Sequence, residues 1–507
     1  ALFRRFALHP HLSGSFYISR LTINTHVSPF KKRAGYDACN KIVWKQGLIC
    51  YNSHALLSMG EKDQFMPEQF KALQGFKDIL PDEQPYWRMI ERVAIEVATL
   101  YGYKRIETPV IEETAVFLRT AGVGTDIVEK EMYSFDDRAD KEGNSTNLTL
   151  RPEGTAGVVR AYLEHGMFKL PQPVKVYYLN EPMFRHEKPQ AGRVREHHQF
   201  GFEALGDEDP AIDAEIIALL YDFYAYLGLK HIRVFINSIG DGNCRPQYIE
   251  ILKDYYRPLL ADSCQDCQVR FYKNPLRMLD CKEPQDQPKI AAAPKLIDYL
   301  CGPCREHFDA VQRFLSIYDV PYEIDPLIVR GLDYYTRTVF EFTSDIDKLA
   351  LNGGGRYDGL AEILGGAHTP GIGFGAGIER IIMEMKRQKI TPPAEERPTA
   401  FVVYFGKSPE FKEAAVRTVA TLRHNWIKTE MAYGERSAKS QMKQANNSGA
   451  PYAILIGEKE LESGFVTVKD LQAEGLGTEN KQVEVKEDEL VEYLKKENIY
   501  GSFNKRT

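Results

Sequence analysis

The 507-residue sequence predicts an α+β fold: helices flank an antiparallel sheet, a helical insertion interrupts the core, and an α/β domain ends the chain. Three observations predict it. A β-rich stretch at 174–187 stops at a loop containing Pro and Gly and then resumes, as the strands of a hairpin do. Residues 243–325 are rich in helix formers. After the proline-containing linker 391–398, strand and helix patterns alternate.

The first 60 residues differ in composition from the remainder. They contain eight Lys or Arg residues and one acid, Asp37. Basic, acid-poor segments are typical of organellar transit peptides, so we predict that residues 1–68 are a targeting leader. A disordered or mistranslated leader, with Met59 as the true start, is the alternative. We therefore expect the protein in the mitochondrial matrix or the plastid stroma.

Overall charge argues against a general polyanion binder, and hydropathy argues against an integral membrane protein. Beyond residue 60 the chain has 57 basic and 70 acidic residues, so any nucleic-acid contact must use local basic patches. No apolar run approaches the roughly 18 residues that a membrane-spanning helix needs, so no membrane partner is expected.

The elements of the predicted core (residues 69–390) follow from periodicity and end signals. Pro81 and Asp82 open a helix whose apolar residues recur at helical spacing, and Gly102 ends it. Thr155 is placed to begin a second helix, which runs to His165. Further strands and helices are predicted at 104–110, 174–187, 196–205, 208–228 and 231–240, and core patterns return at 328–344, 351–360 and 371–388.

The last domain, residues 399–507, has the alternating pattern of a small α/β domain. Its strands are predicted at 401–406, 428–433, 452–457 and 465–471, and its helices near 409–424 and 436–447.

Two motifs in the core suit a nucleotide. Arg185, in "MFRHE", lies on the first hairpin strand, and a guanidinium is a planar fork that matches phosphate oxygens, although a lone arginine is more often a surface or paired residue. In "GIGFGAGIER" every second residue from Gly371 to Gly377 is glycine, which leaves one strand face open to a purine ring, with Arg380 on the following helix. Close helix–sheet packing is the alternative for the glycines.

With these and three further motifs, the sequence resembles the class II aminoacyl-tRNA synthetases and, within them, the bacterial-type histidyl-tRNA synthetases. "MFRHE" and "GIGFGAGIER" are similar to class motifs 2 and 3, and Pro109 in "IETPVIEE" to the proline of motif 1. "RGLDYYTRTVFE" and "GGGRYDGL" resemble the two histidine-specific signatures. The resemblance covers about residues 69–507 and implies a class II synthetase core, an anticodon-binding C-terminal domain and a homodimer.

The resemblance implies an enzyme that joins histidine to ATP with Mg²⁺ and passes the histidyl group to the 3′ end of tRNA(His). It implies that Arg185 and Arg330 are the catalytic pair on the α-phosphate and that Glu203 accepts a hydrogen bond from the imidazole. The residues expected to bind histidine are Glu153, Gly154, Thr155, Gln199, Glu203, Tyr334, Tyr335 and Tyr357. The residues expected to bind ATP are Arg185, Glu187, Arg193, Arg330, Glu379 and Arg380. A packing role in a strand or turn is the alternative for each histidine-binding residue.

Two polar segments suit tRNA. At the hairpin tip, "EKPQAGRVR", Lys188, Gln190 and Arg195 are predicted to contact the acceptor stem, with a solvated loop as the alternative. Family members often carry arginine at the position of Lys188, and lysine lacks the planar fork for reading a base. In the last domain the residues predicted to face the anticodon loop are Lys439, Gln441 and Lys443. An ordinary polar helix face is the alternative there.

Four of the eight cysteines form two CxxC pairs, "CQDC" and "CGPC". The pairs are separated by 33 residues, more than compact zinc sites use. The candidate zinc ligands are Cys264, Cys267, Cys301 and Cys304, with Cys281 as a fifth. Reduced structural thiols are the favoured interpretation, because they fit an intracellular compartment.

Two other functions fit the same fold. A catalytically silent, histidine-sensing regulatory paralogue of ATP phosphoribosyltransferase would usually lack the anticodon-binding domain and part of the ATP-binding set, and this chain retains both. An accessory protein that binds tRNA or DNA would not need the two histidine signatures. The sequence therefore predicts an active ligase.

Overall fold

The computed structural model describes residues 39–44, 47–52, 69–121, 130–139, 141–189, 194–346, 350–394, 397–472 and 482–503. The chain divides into two compact units, residues 1–71 and 72–507. In the first, strands β1 (Cys39–Trp44) and β2 (Gly47–Asn52) pair as an antiparallel hairpin, so part of the predicted leader forms a strand pair. Within the described ranges, no helix combines the length and apolar character that crossing a bilayer requires.

The second unit begins with a mixed α/β segment. In chain order, its elements up to residue 387 are α1 (Gln84–Leu100), β3 (Lys104–Arg105), β4 (Ile111–Glu113), α2 (Thr114–Ala121), β5 (Tyr133–Asp136), β6 (Asn147–Leu150), α3 (Thr155–Glu164), β7 (Val174–Phe184), β8 (Glu196–Leu205), α4 (Pro210–Tyr226), β9 (Ile232–Ser238), α5 (Arg245–Tyr256), α6 (Gln265–Lys273), α7 (Gln287–Ala292), α8 (Gly302–Ile317), β10 (Glu323–Ile324), β11 (Thr336–Ser344), β12 (Ala350–Arg356), α9 (Leu360–Ile363), β13 (Gly371–Gly377) and α10 (Ile378–Arg387).

Eight of these strands form one sheet, in the order β10-β9-β11-β12-β13-β8-β7-β3. The inner pairs are all antiparallel, and the two edge pairs, β10 with β9 and β3 with β7, are parallel. A separate three-stranded antiparallel sheet has the order β4-β6-β5, and its strands come between β3 and β7 in the chain. Strands β7 and β8 form the hairpin predicted at 174–205, so that prediction is confirmed.

The first helix and the first strand show how well local signals worked. Helix α1 buries Ile90, Val93 and Val97, three of the four apolar residues that predicted it, whereas the fourth, Leu100, is exposed. The strand predicted at 104–110, however, joins the large sheet only at Lys104–Arg105. Pro109 has no N–H to donate to a sheet, which is consistent with the early end of this strand.

The stretch predicted to be a helical insertion is helical, but its helices belong to two cores. Side chains of α5, α6 and α7 form a separate hydrophobic cluster that includes Tyr248 and Phe271. Helix α8 packs against α4, and its Phe308, Val311 and Leu315 are buried in the main core of the large sheet. The separate cluster is therefore made by the helices before α8.

A buried ionic group ties α8 and α4 to the sheet. Arg356, at the end of β12, is fully buried and donates hydrogen bonds to both oxygens of Asp213 on α4 and, at 3.1 Å, to Asp358. His307 of α8 places its Nε2 2.8 Å from the same Asp213 carboxylate. Since a buried charge is tolerated only when it is paired, these contacts fix the two helices against β12.

The C-terminal domain is the predicted α/β layer. Its elements are β14 (Ala400–Tyr404), α11 (Pro409–His424), β15 (Thr429–Met431), α12 (Ala438–Ser448), β16 (Tyr452–Ile456), α13 (Glu458–Ser463), β17 (Phe465–Asp470), β18 (Gln482–Lys486) and α14 (Leu490–Phe503). The sheet order is β15-β14-β16-β17-β18, parallel among the first three strands and antiparallel beyond. The strands and helices predicted from 401 to 471 are confirmed to within a few residues, whereas α13, β18 and α14 were not predicted.

Candidate active site

A cavity of about 300 Å³ opens on one face of the large sheet. Segments far apart in the chain meet there, from the start of α3 to the start of α10. The predicted site residues that line it are Glu153, Thr155, Arg185, Glu187, Gln199, Arg330, Tyr334, Tyr335, Glu379 and Arg380. The structure thus brings most of the predicted histidine-binding and ATP-binding residues together in one place.

Glycines on adjacent strands lie at the base of the cavity: Gly353 and Gly375 line it, and Gly201 lies under the Tyr178 ring, which lines it. The paired positions across β11, β12, β13, β8 and β7 are Glu341, Gly353, Gly375, Gly201 and Tyr178. Paired residues project from the same sheet face, so we call Gly353, Gly375 and Gly201 the glycine floor. A Cβ on Gly353 would lie 1.8 Å from the Arg330 guanidinium, and a Cβ on Gly201 would lie 2.3 Å from the Tyr178 ring. Arg330 and Tyr178 therefore lie directly on the floor.

The alternating glycines of β13 have two uses. A Cβ on Gly373 would lie 1.6 Å from the Glu203 carboxylate, and one on Gly371 would lie 2.3 Å from the Tyr357 ring. These two glycines make room for the protein's own side chains, which is the packing role considered from the sequence. Gly375 and Gly377 line the cavity instead.

Arg185 and Arg330 approach the cavity from separate parts of the chain. Arg330 donates from Nη1 to Glu341 at 3.0 Å, and its guanidinium lies 5.9 Å from the centre of the Tyr335 ring. Its buried Nε has no hydrogen-bond partner among the described residues. Arg185 donates from Nε to the carbonyl of Pro152 at 2.9 Å. Because a guanidinium has five N–H donors, this anchoring leaves both arginines with donors for an anion.

The start of α10 supplies one acidic side chain, Glu379, and one basic side chain, Arg380. The Glu379 carboxylate accepts from the backbone N–H of His198 at 2.9 Å and lies 2.9 Å from its ring Nδ1. Arg380 donates from Nη1 to the carbonyl of Ala350 at 2.7 Å. Both side chains are fixed by strands of the sheet and border the cavity.

Two carboxylates near the N-terminus of α3 are buried. Glu153 accepts from the backbone N–H groups of Thr155 at 2.7 Å and Ala156 at 2.9 Å, and burial raises its pKa against these bonds. Glu203 is fully buried and accepts from the hydroxyls of Thr155 at 2.7 Å and Tyr357 at 2.5 Å. Burial raises the pKa of Glu203 to about 8.

Comparison with known proteins decides the family. A family model described as histidyl-tRNA synthetase matches residues 75–240 and 286–381, and one described as an anticodon binding domain matches 399–497. The histidine–tRNA ligase of Dehalococcoides mccartyi strain 195 is 46% identical over 411 residues, which are 81% of this chain and 96% of that protein. The chain belongs to the histidyl-tRNA synthetase family.

Two further relatives agree. The histidine–tRNA ligase of Halothermothrix orenii is 46% identical over 428 residues, 84% of this chain and 99% of the relative. The crystal structure of the apo histidyl-tRNA synthetase of S. aureus superimposes with a TM-score of 0.69 at 39% identity, and covers 84% of this chain and 100% of that one. The α+β fold, with the synthetase core and the anticodon-binding domain, is confirmed, and the chain is an aminoacyl-tRNA ligase.

Within this histidyl-tRNA synthetase fold, three predicted histidine-binding residues lie outside the cavity lining. Glu203 and Tyr357 bond to each other one layer behind it. Gly154 lies under the Tyr178 ring, because a Cβ there would be 2.5 Å from that ring. Glu203 therefore reaches the cavity through Thr155, which does line it.

Sequence reasoning missed Tyr178, His197, Glu341 and Asn352. Burial and the positive charges of Arg185 and Arg380 lower the pKa of His197 to about 3, so its ring is neutral at pH 7. Strand alternation could have found it, since residues two apart share a sheet face and Gln199 was already predicted.

The hairpin tip of this synthetase is only partly described. Lys188 is exposed, whereas the predictions for Gln190 and Arg193 lie outside the described residues. Arg195 donates from Nε to the carbonyl of Glu187 at 3.2 Å, and its stem lies 2.7 Å from where a Cβ of Gly75 would be. Arg195 is thus packed against the base of the tip.

The four candidate zinc ligands do not form a single site. Cys264 and Cys267 cluster with Cys281 and Asp286, whereas the cluster of Cys301 and Cys304 contains Cys244 and Asp241. The two CxxC pairs therefore have different neighbours, which linear spacing could not show.

The buried Glu203 predicts a pH dependence of stability. Its pKa is 4.5 in the unfolded chain and about 8 when folded, so the folded state binds a proton that the unfolded chain releases between these values. Stability should fall as pH rises through this window, by up to about 1.4 kcal/mol per pH unit. Glu203→Gln stays neutral, and its apparent Tm should fall less between pH 6 and pH 8.5 than that of wild type.

The control for this measurement is Glu208→Gln, which changes an exposed acid three residues beyond the end of the same strand. It should follow the wild-type pH profile. A Glu203→Gln profile parallel to wild type would show that this carboxyl does not hold the proton.

Proposed function

We propose that this protein is an organellar histidine–tRNA ligase that forms histidyl-adenylate from histidine and ATP and transfers the histidyl group to tRNA(His). The observation that supports it most is the meeting of Arg185 and Arg330, from sequence motifs 145 residues apart, over one glycine floor. The family and the relatives' names point to the same reaction.

In the first step a carboxylate oxygen of histidine attacks the α-phosphorus of ATP, and the bond to diphosphate breaks. The protein does no covalent work here, so rate comes from position and charge. Arg185 and Arg330 hold the α-phosphate between them. Their donors, fixed in advance by Pro152 and Glu341, stabilise the charge that builds up on the phosphate oxygens.

The far end of ATP lies towards α10, where Arg380 binds the γ-phosphate. Glu187 and Glu379, the latter next to Arg380, also border the cavity. Mg²⁺ takes carboxylate and phosphate oxygens, so this set of donors fits it, and these two glutamates would hold it. When bound, the ion would neutralise part of the negative charge of the phosphates.

Polar groups at the other end select histidine. Glu153, Thr155 and Gln199 bind the α-amino group, while Tyr335 offers its hydroxyl to the imidazole and Tyr334 forms the wall. Glu203 positions Thr155 and Tyr357 from behind. A site of this kind rejects analogues without the matching polar atoms by up to about 10⁴-fold, because its own groups would be left unpaired.

In the second step a hydroxyl of the terminal tRNA ribose attacks the histidyl carbonyl carbon, and AMP leaves. The test of both steps uses the purified full chain with ATP, radiolabelled diphosphate and each of the twenty amino acids, then with tRNA(His). We expect exchange that depends on histidine, followed by charging. Exchange with another amino acid and none with histidine would overturn the proposal.

The anticodon-binding domain gives a separable prediction. Lys439 and Lys443 on α12 are exposed, but Gln441 is buried and bonds the backbone of Tyr404 at 3.0 and 2.9 Å, so the prediction that Gln441 faces the anticodon is wrong. Replacing both lysines with Gln should raise the KM for tRNA several-fold and lower the salt dependence of binding by about one unit per lysine. Histidine-dependent exchange should not change.

The matched control is Lys459→Gln, an exposed lysine of the same domain that pairs with Glu484. It should leave both reactions unchanged. Equal loss of charging and exchange in the double lysine variant would indicate misfolding rather than lost tRNA contacts.

The organellar part of the proposal rests on the leader. Its basic, acid-poor composition suits import, and the family model begins matching only at residue 75. Residues 1–68 fused to a fluorescent protein should direct it to mitochondria or plastids, and replacing Lys31, Lys32 and Arg33 with Gln should weaken import. A diffuse cytosolic signal from the intact leader would contradict this.

The enzyme is also proposed to act as a homodimer, as the sequence resemblance implies. Light scattering on the purified full chain should give twice the chain mass of 57.8 kDa. A monomer that retains full exchange activity would contradict the proposal.

A further inference from the structure

The six cysteines whose side chains the structure describes fall into two groups of the same composition. One group, the α6 cluster, consists of Cys264, Cys267, Cys281 and Asp286. The other, the α8 cluster, consists of Asp241, Cys244, Cys301 and Cys304. In each, three sulfur atoms and one carboxylate oxygen all lie within 4.8 Å of one another. Three thiols and one acid at such distances, found twice, form the donor set of a tetrahedral thiolate metal site.

The distances in the α6 cluster match those around a zinc ion. Zn–S bonds of about 2.3 Å and Zn–O bonds of about 2.0 Å place tetrahedral ligand atoms about 3.8 Å apart for two sulfurs and about 3.5 Å apart for sulfur and oxygen. The Sγ atoms of Cys264 and Cys281 are 3.7 Å apart, and the Asp286 Oδ2 is 3.6 Å from Cys281 Sγ. These two pairs are thus already at the separation that the ion requires, and the remaining pairs lie within 4.8 Å.

The surroundings of the α6 cluster suit thiolates. Backbone N–H groups of Cys267 and Glu283 each donate to a cluster sulfur at 3.4 Å. Lys289 Nζ lies 2.9 Å from the other oxygen of Asp286, which leaves Oδ2 turned towards the sulfurs. Donors of this kind orient metal ligands and offset their negative charge.

The α8 cluster joins the two ends of the helical stretch. Asp241 and Cys244 follow β9, and Cys301 and Cys304 begin α8, so four residues close a loop of about sixty. Asp241 Oδ1 lies 3.8 Å from Cys244 Sγ and 3.9 Å from Cys301 Sγ, a few tenths of an ångström wider than a zinc site. Its orientation is fixed by the Asn243 N–H at 2.9 Å.

We propose that this enzyme holds two structural divalent transition-metal ions of the zinc class, one in the α6 cluster and one in the α8 cluster. Each ion is bound by three thiolates and one carboxylate. Binding forms three metal–sulfur bonds and one metal–oxygen bond and releases three thiol protons to solvent. Each filled site then has a formal charge of −2, which Lys289 offsets at the α6 cluster and Arg337, 3.9 Å from Asp241, offsets at the α8 cluster.

Both clusters connect to the segment that carries the catalytic arginine. Arg277, just before Cys281, donates to the carbonyl of Arg330 at 3.0 Å. Arg245, next to Cys244, donates to the carbonyl of Tyr335 at 2.7 Å. The ions would therefore stabilise the helices on which this segment rests, without contacting substrate.

The test is metal content of the full chain, reloaded with zinc under reducing conditions and freed of excess metal. We expect two zinc ions per chain in wild type, one in Cys264→Ser/Cys267→Ser and one in Cys301→Ser/Cys304→Ser. Asp286→Asn should weaken zinc binding at one site, whereas Asp266→Asn, an exposed acid within the same CxxC motif, should keep two tightly bound ions.

A second measurement on the unaltered protein does not depend on folding of the variants. Cobalt(II) titration should give a sulfur-to-metal charge-transfer band that saturates at two equivalents, and zinc should protect six thiols that a chelator exposes. Three results would each overturn the proposal. The first is wild-type protein that holds one zinc ion or fewer, and the second is a single ion that is lost in both double variants. The third is thiols that react equally with and without zinc.

Discussion

Replacing Arg330 with Gln is expected to slow histidine-dependent ATP–diphosphate exchange by about 10²- to 10³-fold, since one fixed donor to a developing anion contributes about 3–4 kcal/mol. The guanidinium lies against Gly353 and is oriented by Glu341 at 3.0 Å. Glutamine lacks both the charge and the reach. The effect should be on kcat of the exchange reaction, measured at saturating histidine and ATP.

The ion pair between Arg330 and Glu341 offers a second explanation for slow exchange in the Arg330→Gln variant, and a further variant separates the two explanations. Without Arg330, Glu341 would leave an unpaired negative charge beside the substrate phosphates. The double variant Arg330→Gln/Glu341→Gln removes that charge, and we expect it to remain as slow as the single variant. Recovery of exchange in the double variant would mean that Arg330 serves to neutralise Glu341 and not to bind phosphate.

Gly373→Ala is expected to destabilise the fold by about 3 kcal/mol or more and to lower the apparent Tm by several degrees. The new Cβ would lie 1.6 Å from Glu203 Oε2 and 2.7 Å from the backbone carbonyl of Phe202. The buried carboxyl would have to leave Thr155 and Tyr357, and the backbone oxygen cannot move away. Thermal unfolding at pH 6 would measure the loss.

Gly377→Ala is the matched control on the same face of the same strand. Its Cβ would meet only the aliphatic stem of Arg380 at 4.0 Å. Gly377 has φ −80° and ψ 116°, which any residue adopts, so its Tm should stay near wild type. Equal Tm values for the two variants would show that Glu203 does not occupy the space above Gly373.

The fold was largely predictable because its elements are local. Helix α1 and the β7–β8 hairpin were indicated by 3.6- and 2-residue periodicity within single stretches. The last elements of the chain were harder. Helix α13 is only six residues long, and α14 follows the short edge strand β18. The local sequence therefore gave no strong periodic signal for either helix.

The motifs predicted which residues belong to the site, but they did not show which of them line the cavity and which lie behind it. Glu203 and Gln199 share a face of β8, yet Gln199 borders the cavity while Glu203 lies behind it, because Gly373 and Tyr357 enclose the latter. Gln441 looked like a surface residue of a polar helix, and only the position of β14 beside α12 shows that it is buried.

The cysteines show a third limit. Each CxxC pair is a local feature, whereas Cys281 and Cys244 join different pairs through the packing of α5, α6 and α8. Proximity of this kind depends on how the chain closes on itself and cannot be inferred from spacing along it.

The glycine floor has a consequence for altering the amino-acid preference of the enzyme. Gly201 and Gly353 have no side chain to shorten, and any larger residue would collide with Tyr178 or Arg330. Substitutions at these floor glycines therefore cannot enlarge the pocket. Redesign for a histidine analogue has its adjustable positions in the walls, at Tyr334 and Tyr335, where trimming a ring creates space without moving the strands.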